Sequence, residues 1–232
     1  MNLDRSPTAG FEAEVLLGPI LKMQTFTAAD IENMETFSRV QFATSLPGAK
    51  PISLIGTTDS SGHNNLAPFS SVLHLGSAPC LLGMVSRPDL VERHTLANLL
   101  ETRCWTINHL HSDILDAAHQ CSARYPKAVS EFDATGLTPY FEPGFIAPFV
   151  SESRFRIGLE LADIIDIPAN GTKLIVGRVV LVQLADGSLA DHGGIDLAGI
   201  DCLASTSLDT YFTIHPLARL AHAKSGIEPT RI

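Results

Sequence analysis

Ile52-Ser53-Leu54-Ile55-Gly56-Thr57-Thr58, running into Asp59-Ser60-Ser61-Gly62, is the stretch on which the reading of this chain turns. The first seven residues are apolar or β-branched in the main and the next four are turn formers, so together they read as a strand closed by a turn. Beyond the turn come Asn64-Asn65-Leu66-Ala67-Pro68-Phe69-Ser70-Ser71, an apolar strand Cys80-Leu81-Leu82-Gly83-Met84-Val85, and Ser86-Arg87-Pro88. Arg93-His94-Thr95 then opens a helix that ends near Thr102 and is expected to bury Leu96, Leu99 and Leu100 as one stripe. Between residues 60 and 86 there is no Asp, Glu, Lys or Arg. Polarity there comes from hydroxyls, amides and two histidines, which suits a wall facing a flat, partly apolar, hydrogen-bonding ligand. Charge returns at Arg87 and Arg93, where the anionic end of such a ligand would sit.

Working outward, Trp105-Thr106-Ile107-Asn108-His109 alternates as a half-buried strand should. Ser112-Asp113 can cap a second helix that places Ile114, Ala117, Ala118 and Cys121 on one face. Residues 125–148 mix proline, glycine and aromatics, an ordered excursion of the kind that is often functional in a compact domain. Strands are expected at 155–163 and 173–184, with Gly177 marking a bulge or a close backbone approach. Asp186-Gly187 is a turn signal, 186–210 reads as loop, and Tyr211-Phe212-Thr213-Ile214 as a last short strand. Upstream, Thr27-Ala28-Ala29-Asp30 resembles a capping box, and Ile31, Met34, Phe37 and Val40 recur at helical spacing, which predicts a helix over 28–42. Residues 1–25 are expected to form an irregular arm.

At 232 residues, 45% hydrophobic and 18% charged, the chain is long and apolar enough to bury a core without staples. A net charge of −9 argues against nucleic acid or an anionic membrane as partner. Cys80, Cys104, Cys121 and Cys202 form no C-x-x-C pair and sit in apolar patterns, so buried, reduced thiols and a cytoplasmic location are expected, with Cys80, Leu82 and Met84 in the core. No apolar run approaches the roughly 20 residues of a spanning helix, and the N-terminus lacks an apolar signal core. With no repeat, linker or low-complexity segment, a single domain over 1–232 is expected, its core at about 45–215 and an arm and helix over 1–44. The sequence contains no G-x-S-x-G, P-loop or G-x-G-x-x-G. His109-x-His111 with His119 offers a rival metal reading, since zinc sites use short histidine spacings, but no further ligand stands out and no metal is assigned.

Taken in order, Thr57-Thr58-Asp59 to Gly62, Asn65-Leu66-Ala67-Pro68-Phe69-Ser70, Pro79-Cys80-Leu81-Leu82-Gly83, Arg93-His94-Thr95-Leu96-Ala97-Asn98-Leu99 and Asn108 resemble the flavin reductase-like family, whose members are similar to flavoredoxin. Ser130-Glu131-Phe132, Gly136-Leu137 and Gly177-Arg178-Val179-Val180 also match family positions, so the resemblance spans roughly 45–215. It implies a mainly β fold with helices, an antiparallel Greek-key split barrel of the FMN-binding type. It further implies that Thr57, Asn65, Ala67, Ser70 and Ser71 line the ring and ribityl chain of FMN, with FAD as the alternative flavin. Ser86, Arg87, Arg93 and Thr95 would hold the phosphate at a helix N-terminus, where free N–H groups and the dipole favour an anion. Arg93 stands where the family usually has lysine, His94 where it has aspartate, and Pro79-Cys80 where Pro-Pro is common.

The implied activity is an NAD(P)H-dependent flavin reductase passing hydride to flavin N5. The cofactor carries that chemistry and the protein supplies orientation, so no catalytic side chain is assigned. A flavoredoxin-like electron carrier and an FMN-binding module without turnover are the alternatives. The family forms homodimers with flavin at the subunit interface, which makes the loops 125–150 and 186–210 candidates for covering the partner subunit or the flavin. A monooxygenase or other redox partner would consume the reduced flavin.

Overall fold

The computed structural model describes residues 23–88, 94–207 and 209–232. In chain order the elements are α1 (Ala28–Glu32), α2 (Thr36–Ser45), β1 (Lys50–Pro51), β2 (Ser53–Thr58), β3 (Asn64–Phe69), β4 (Leu73–Ser77), β5 (Cys80–Ser86), α3 (His94–Thr102), β6 (Cys104–His109), a 3-10 turn (Ser112–Ile114), α4 (Leu115–Gln120), α5 (Glu131–Thr135), β7 (Pro139–Tyr140), β8 (Phe149–Val150), β9 (Phe155–Ile167), β10 (Thr172–Leu184), β11 (Leu203–Thr206) and β12 (Thr210–Thr213). The chain divides into a unit over Met1–Arg39, described from residue 23, and a unit over Val40–Ile232.

In the first unit the capping box forms as expected: Thr27 Oγ1 accepts from the Asp30 N–H and the Asp30 carboxylate accepts from the Thr27 N–H at 2.7 Å. The single helix expected over 28–42 is instead two. Asn33 closes the first, and the Glu35 carboxylate then accepts from the Phe37 and Ser38 N–H groups at 2.8 and 3.1 Å, starting a second helix from within the same apolar stripe. Periodicity cannot register such a break, because both halves keep the helical spacing. That stripe is not buried either, since Phe37 and Val40 are exposed.

The second unit is a mainly antiparallel assembly. Seven strands run in the order β3-β2-β6-β9-β10-β5-β4, and β1-β11-β12 form a smaller sheet. β2 is buried along its whole length, Leu54 facing one cluster together with Ile52 just before the strand, and Ile55 facing the other. The two clusters on either side of one strand follow from the alternation of side chains across the pleat. One holds Ile55, Met84, Leu96, Leu99, Trp105, Ile107, Leu159 and Ile175, while Leu100, expected beside Leu96 and Leu99, is exposed at the edge of that stripe; the other holds Leu54, Leu66, Leu110, Ile114, Ala118, Phe132 and Val150. β6 lies between β2 and β9, so residues 104–108 are all buried rather than alternating with solvent.

β9 and β10 make a long hairpin whose register slips between Val176 and Gly177. A Cβ on Gly177 would run into the Trp105 ring, so the glycine is both the bulge and the close approach anticipated there. Ser112 does not cap the helix behind it: its N–H and hydroxyl both bond the Asp201 carboxylate, and a 3-10 turn precedes α4. The excursion over 125–150 carries α5, β7 and β8, and its Phe132, Leu137, Ala147, Phe149 and Val150 belong to this chain's own core. Three cysteines are buried, but Cys80 is exposed, because it begins β5 just after the β4–β5 turn rather than lying inside the strand.

Candidate functional site

The hairpin β2–β3 sets the first wall. Asp59 holds its turn, with Oδ1 accepting from the Ser61 and His63 N–H groups at 2.9 and 3.0 Å and Oδ2 facing His63 Nδ1 at 3.3 Å and Lys127 Nζ at 3.5 Å. The His63 N–H is the leading cause that keeps the Asp59 carboxyl below its ordinary range. With the turn held, Thr57 registers opposite Asn65 and Ile55 opposite Ala67.

Asn65 Nδ2 donates to Thr95 Oγ1 at 3.0 Å and lies 3.4 Å from Thr57 Oγ1. Asn98 Nδ2, one turn further along α3, donates to the same Thr57 oxygen at 3.3 Å. All four residues are at least nine-tenths buried. The amide-and-hydroxyl wall and the first turn of α3 are therefore joined by a buried polar knot, one side chain from β2, one from β3 and two from α3. Thr57, with no exposed surface, is enclosed within that knot, and its hydroxyl serves the two amides.

A second group gathers where β3 hands over to β4. Ser71 donates to the Val85 carbonyl at 3.0 Å and accepts from the Val85 N–H at 3.2 Å, pinning the connection to the end of β5. Ser86 is buried at that end, and Arg87 is exposed directly after it. Among the described residues the Arg87 guanidinium makes no ion pair and the Ser70 hydroxyl makes no hydrogen bond. Ala67 sits on β3 two residues beyond Asn65. Arg93 lies outside the described residues, and α3 begins at His94.

Two residues with no assigned role belong to this region. Asn98 lies within the family motif, but nothing in a lone helical Asn announces a strand hydroxyl as its partner. Glu131 is buried at the start of α5, and its Oε2 accepts from the Leu66 N–H at 2.9 Å. Burial raises its carboxyl pKa, while that N–H, its own N–H and the nearby His94 pull it back. His63, Asn64, Asn65, His94, Asn98, Lys127, Val129 and Glu131 line one polar depression.

The histidines of the rival metal reading separate. His109 stacks on Phe155 with ring centroids 4.3 Å apart, His111 Nε2 faces the Glu152 carbonyl at 2.9 Å, and His119 Nδ1 bonds the Tyr211 hydroxyl at 2.8 Å. Among the described residues there is no group of three or more His, Cys, Asp or Glu placed to hold a metal ion. Nor is any described helix long and apolar enough to cross a membrane.

Comparison with known proteins fits this architecture. The crystal structure of a candidate flavin reductase with a split barrel domain from Shewanella frigidimarina is 44% identical, with a TM-score of 0.83 over 87% of this chain and 100% of that one. Nitrilotriacetate monooxygenase component B from Bacillus cereus superposes with a TM-score of 0.75 at 20% identity, over 86% of this chain and 99% of its own. Flavoredoxin of Desulfovibrio vulgaris gives 0.66 at 22% identity, over 78% and 94%. At those lower identities the likeness is one of fold, a mainly antiparallel split barrel. Residues 48–196 match the family described as the flavin reductase like domain, which takes in the hairpin, the knot and the β9–β10 hairpin alike, and the chain belongs to that family.

Proposed function

We propose that this chain is an FMN-dependent oxidoreductase that takes electrons from NAD(P)H, and that it works as a homodimer supplying reduced flavin to a monooxygenase or another redox partner. The observation that carries the reading is the 3.0 Å bond between Asn65 and Thr95, because it brings the uncharged wall of β3 against the N-terminal turn of α3. A flavin needs both: hydroxyls and amides along its ring and ribityl chain, and helix N–H groups with a cation at its phosphate.

The donor set fits such a group. Ser70 has an uncommitted hydroxyl, Arg87 an uncommitted guanidinium, and the Asn64 side-chain oxygen is buried without a partner. When bound, FMN supplies the redox chemistry, with a nicotinamide as the transient reductant. In this reading Ala67, Ser70 and Ser71 face the ring and ribityl chain. Ser86, Arg87, Arg93 and Thr95 hold the phosphate, and Arg87 offers the planar fork that suits it. Thr57 and Asn65 act from behind, keeping the wall and the helix start in register.

Arg87→Ala tests the phosphate assignment. Losing a hydrogen bond to a charged group costs about 1.5–3 kcal/mol, so FMN should bind roughly 10- to 150-fold more weakly, while riboflavin, which lacks the phosphate, keeps its affinity. Equal losses for both ligands, or none, reject the assignment. Turnover is read separately, from NAD(P)H oxidation with and without excess free FMN. Saturable oxidation supports a reductase; tightly held FMN without oxidation points to an electron carrier.

A further inference from the structure

β3 is an edge strand of the seven-stranded sheet, so one side of its backbone has no strand to pair with among the described residues. An unpaired backbone N–H that is also buried costs free energy and calls for a partner. On β3 the group concerned is the Leu66 N–H, and its partner is the Glu131 carboxylate at 2.9 Å, from a residue 65 positions away. Glu131 is itself 6% exposed. Its neighbour Phe132 is buried in the same cluster as Leu66, Leu110 and Ile114, and the Thr135 hydroxyl donates to the Glu131 carbonyl at 2.7 Å.

The peptide that Glu131 grips joins Asn65 to Leu66. Its plane helps set the direction in which the Asn65 side chain leaves the strand, and Asn65 is the residue that meets Thr95. His94, the first residue of α3, is near enough to Glu131 to favour its charged form, and both line the same depression as Asn65 and Asn98. The Glu131 side chain thus holds the strand and shares its depression with the start of the helix.

We propose that Glu131 is a positioning residue for the ligand-binding wall, clamping the Asn65–Leu66 peptide so that Asn65 stays seated on Thr95, and that this contact ties the excursion over residues 125–150 to the β3 strand of the site. The inference rests on the flavin reading for its functional consequence, but the clamp can be tested without any ligand. Amide hydrogen exchange on the flavin-free protein should show Leu66 losing protection in Glu131→Ala by at least 10-fold, with recovery towards wild type in Glu131→Gln, which keeps an acceptor oxygen. FMN titration of the same proteins should show Glu131→Ala binding roughly 10-fold more weakly, again recovered in Glu131→Gln.

Phe132→Leu is the control, because it loosens the same helix without removing the carboxylate. At matched stability it should leave FMN affinity within about 2-fold of wild type. Unchanged exchange at Leu66 in Glu131→Ala overturns the clamp. So does a loss of FMN affinity in Phe132→Leu as large as that in Glu131→Ala, which would mean that helix stability alone is responsible. If Glu131→Ala fails to fold, Glu131→Gln carries the test: Leu66 exchange and FMN affinity close to wild type support the clamp, and loss of either overturns it. A wild-type protein that takes up no FMN while Leu66 exchange still answers to Glu131 would sink the flavin reading and leave the clamp standing.

Discussion

Replacing Thr57 by valine removes one oxygen and changes almost no volume, so it isolates the polar knot from packing. Asn98 Nδ2 loses the one acceptor it has among the described residues, at 3.3 Å, and Asn65 Nδ2 loses its longer contact at 3.4 Å while keeping Thr95 at 3.0 Å. Both amides are buried, and a donor left unsatisfied there costs about 1–3 kcal/mol. Bonds at 3.3–3.4 Å lie at the long end of the useful range, which points to the lower half, about 1–2 kcal/mol. For a chain of this length each kcal/mol moves Tm by roughly 2–4 °C, so a fall of about 2–8 °C is expected.

Urea unfolding followed by the fluorescence of Trp105, the sole tryptophan and 1% exposed, measures the loss directly. Adding Asn98→Leu to Thr57→Val should restore much of it, because replacing both partners by apolar groups of similar size is nearly neutral whereas orphaning one is not. A Thr57→Val protein within about 0.5 kcal/mol of wild type, or a double variant whose losses simply add, would show that the knot does not hold the wall to α3.

Gly56→Ala should be more damaging. Its new Cβ would collide with the Pro148 carbonyl oxygen and sit 2.5 Å from Thr106 Oγ1, and those two atoms are bonded to each other at 2.6 Å. Backbone cannot move aside as a side chain can, so a loss of about 3–5 kcal/mol is expected from urea unfolding. His109 governs part of the acid limb. Burial lowers its pKa from 6.5 to about 4, so the folded state binds fewer protons than the unfolded one in that window. Its contribution is complete above pH 6.5 and is lost as pH falls towards 4, up to about 3 kcal/mol in all. His109→Phe, which can keep the stack on Phe155, should show a flatter stability profile over that range than wild type when both are unfolded in urea at each pH. Cys80 should react with a thiol reagent in the native protein, while Cys104, Cys121 and Cys202 should react only after unfolding, as counted by the thiol titre in each state.

The β-rich order, the helix after β5 and the bulge at Gly177 were legible in the chain because each is a local property, and the family resemblance nominated Thr57, Asn65, Ala67, Ser70, Ser71, Ser86, Arg87, Arg93 and Thr95 as candidates. Alternation, turn formers and motif spacing all act over a few residues, and they determine which segments can pair. What they could not reveal is who meets whom at distance. Asn98 reaches Thr57 across 41 positions, and Glu131 reaches Leu66 across 65. Both contacts satisfy polar groups that are buried only once the sheet and α3 have packed, so the need for a partner does not exist in the isolated segment. The split of the first helix at Glu35 and the capture of Ser112 by Asp201 have the same origin. In each, a carboxylate won a backbone N–H against the continuation that periodicity or capping preference had favoured. Sequence decided which residues could form the wall, and tertiary structure decided how it is held, since a buried N–H takes whichever acceptor the finished fold puts beside it.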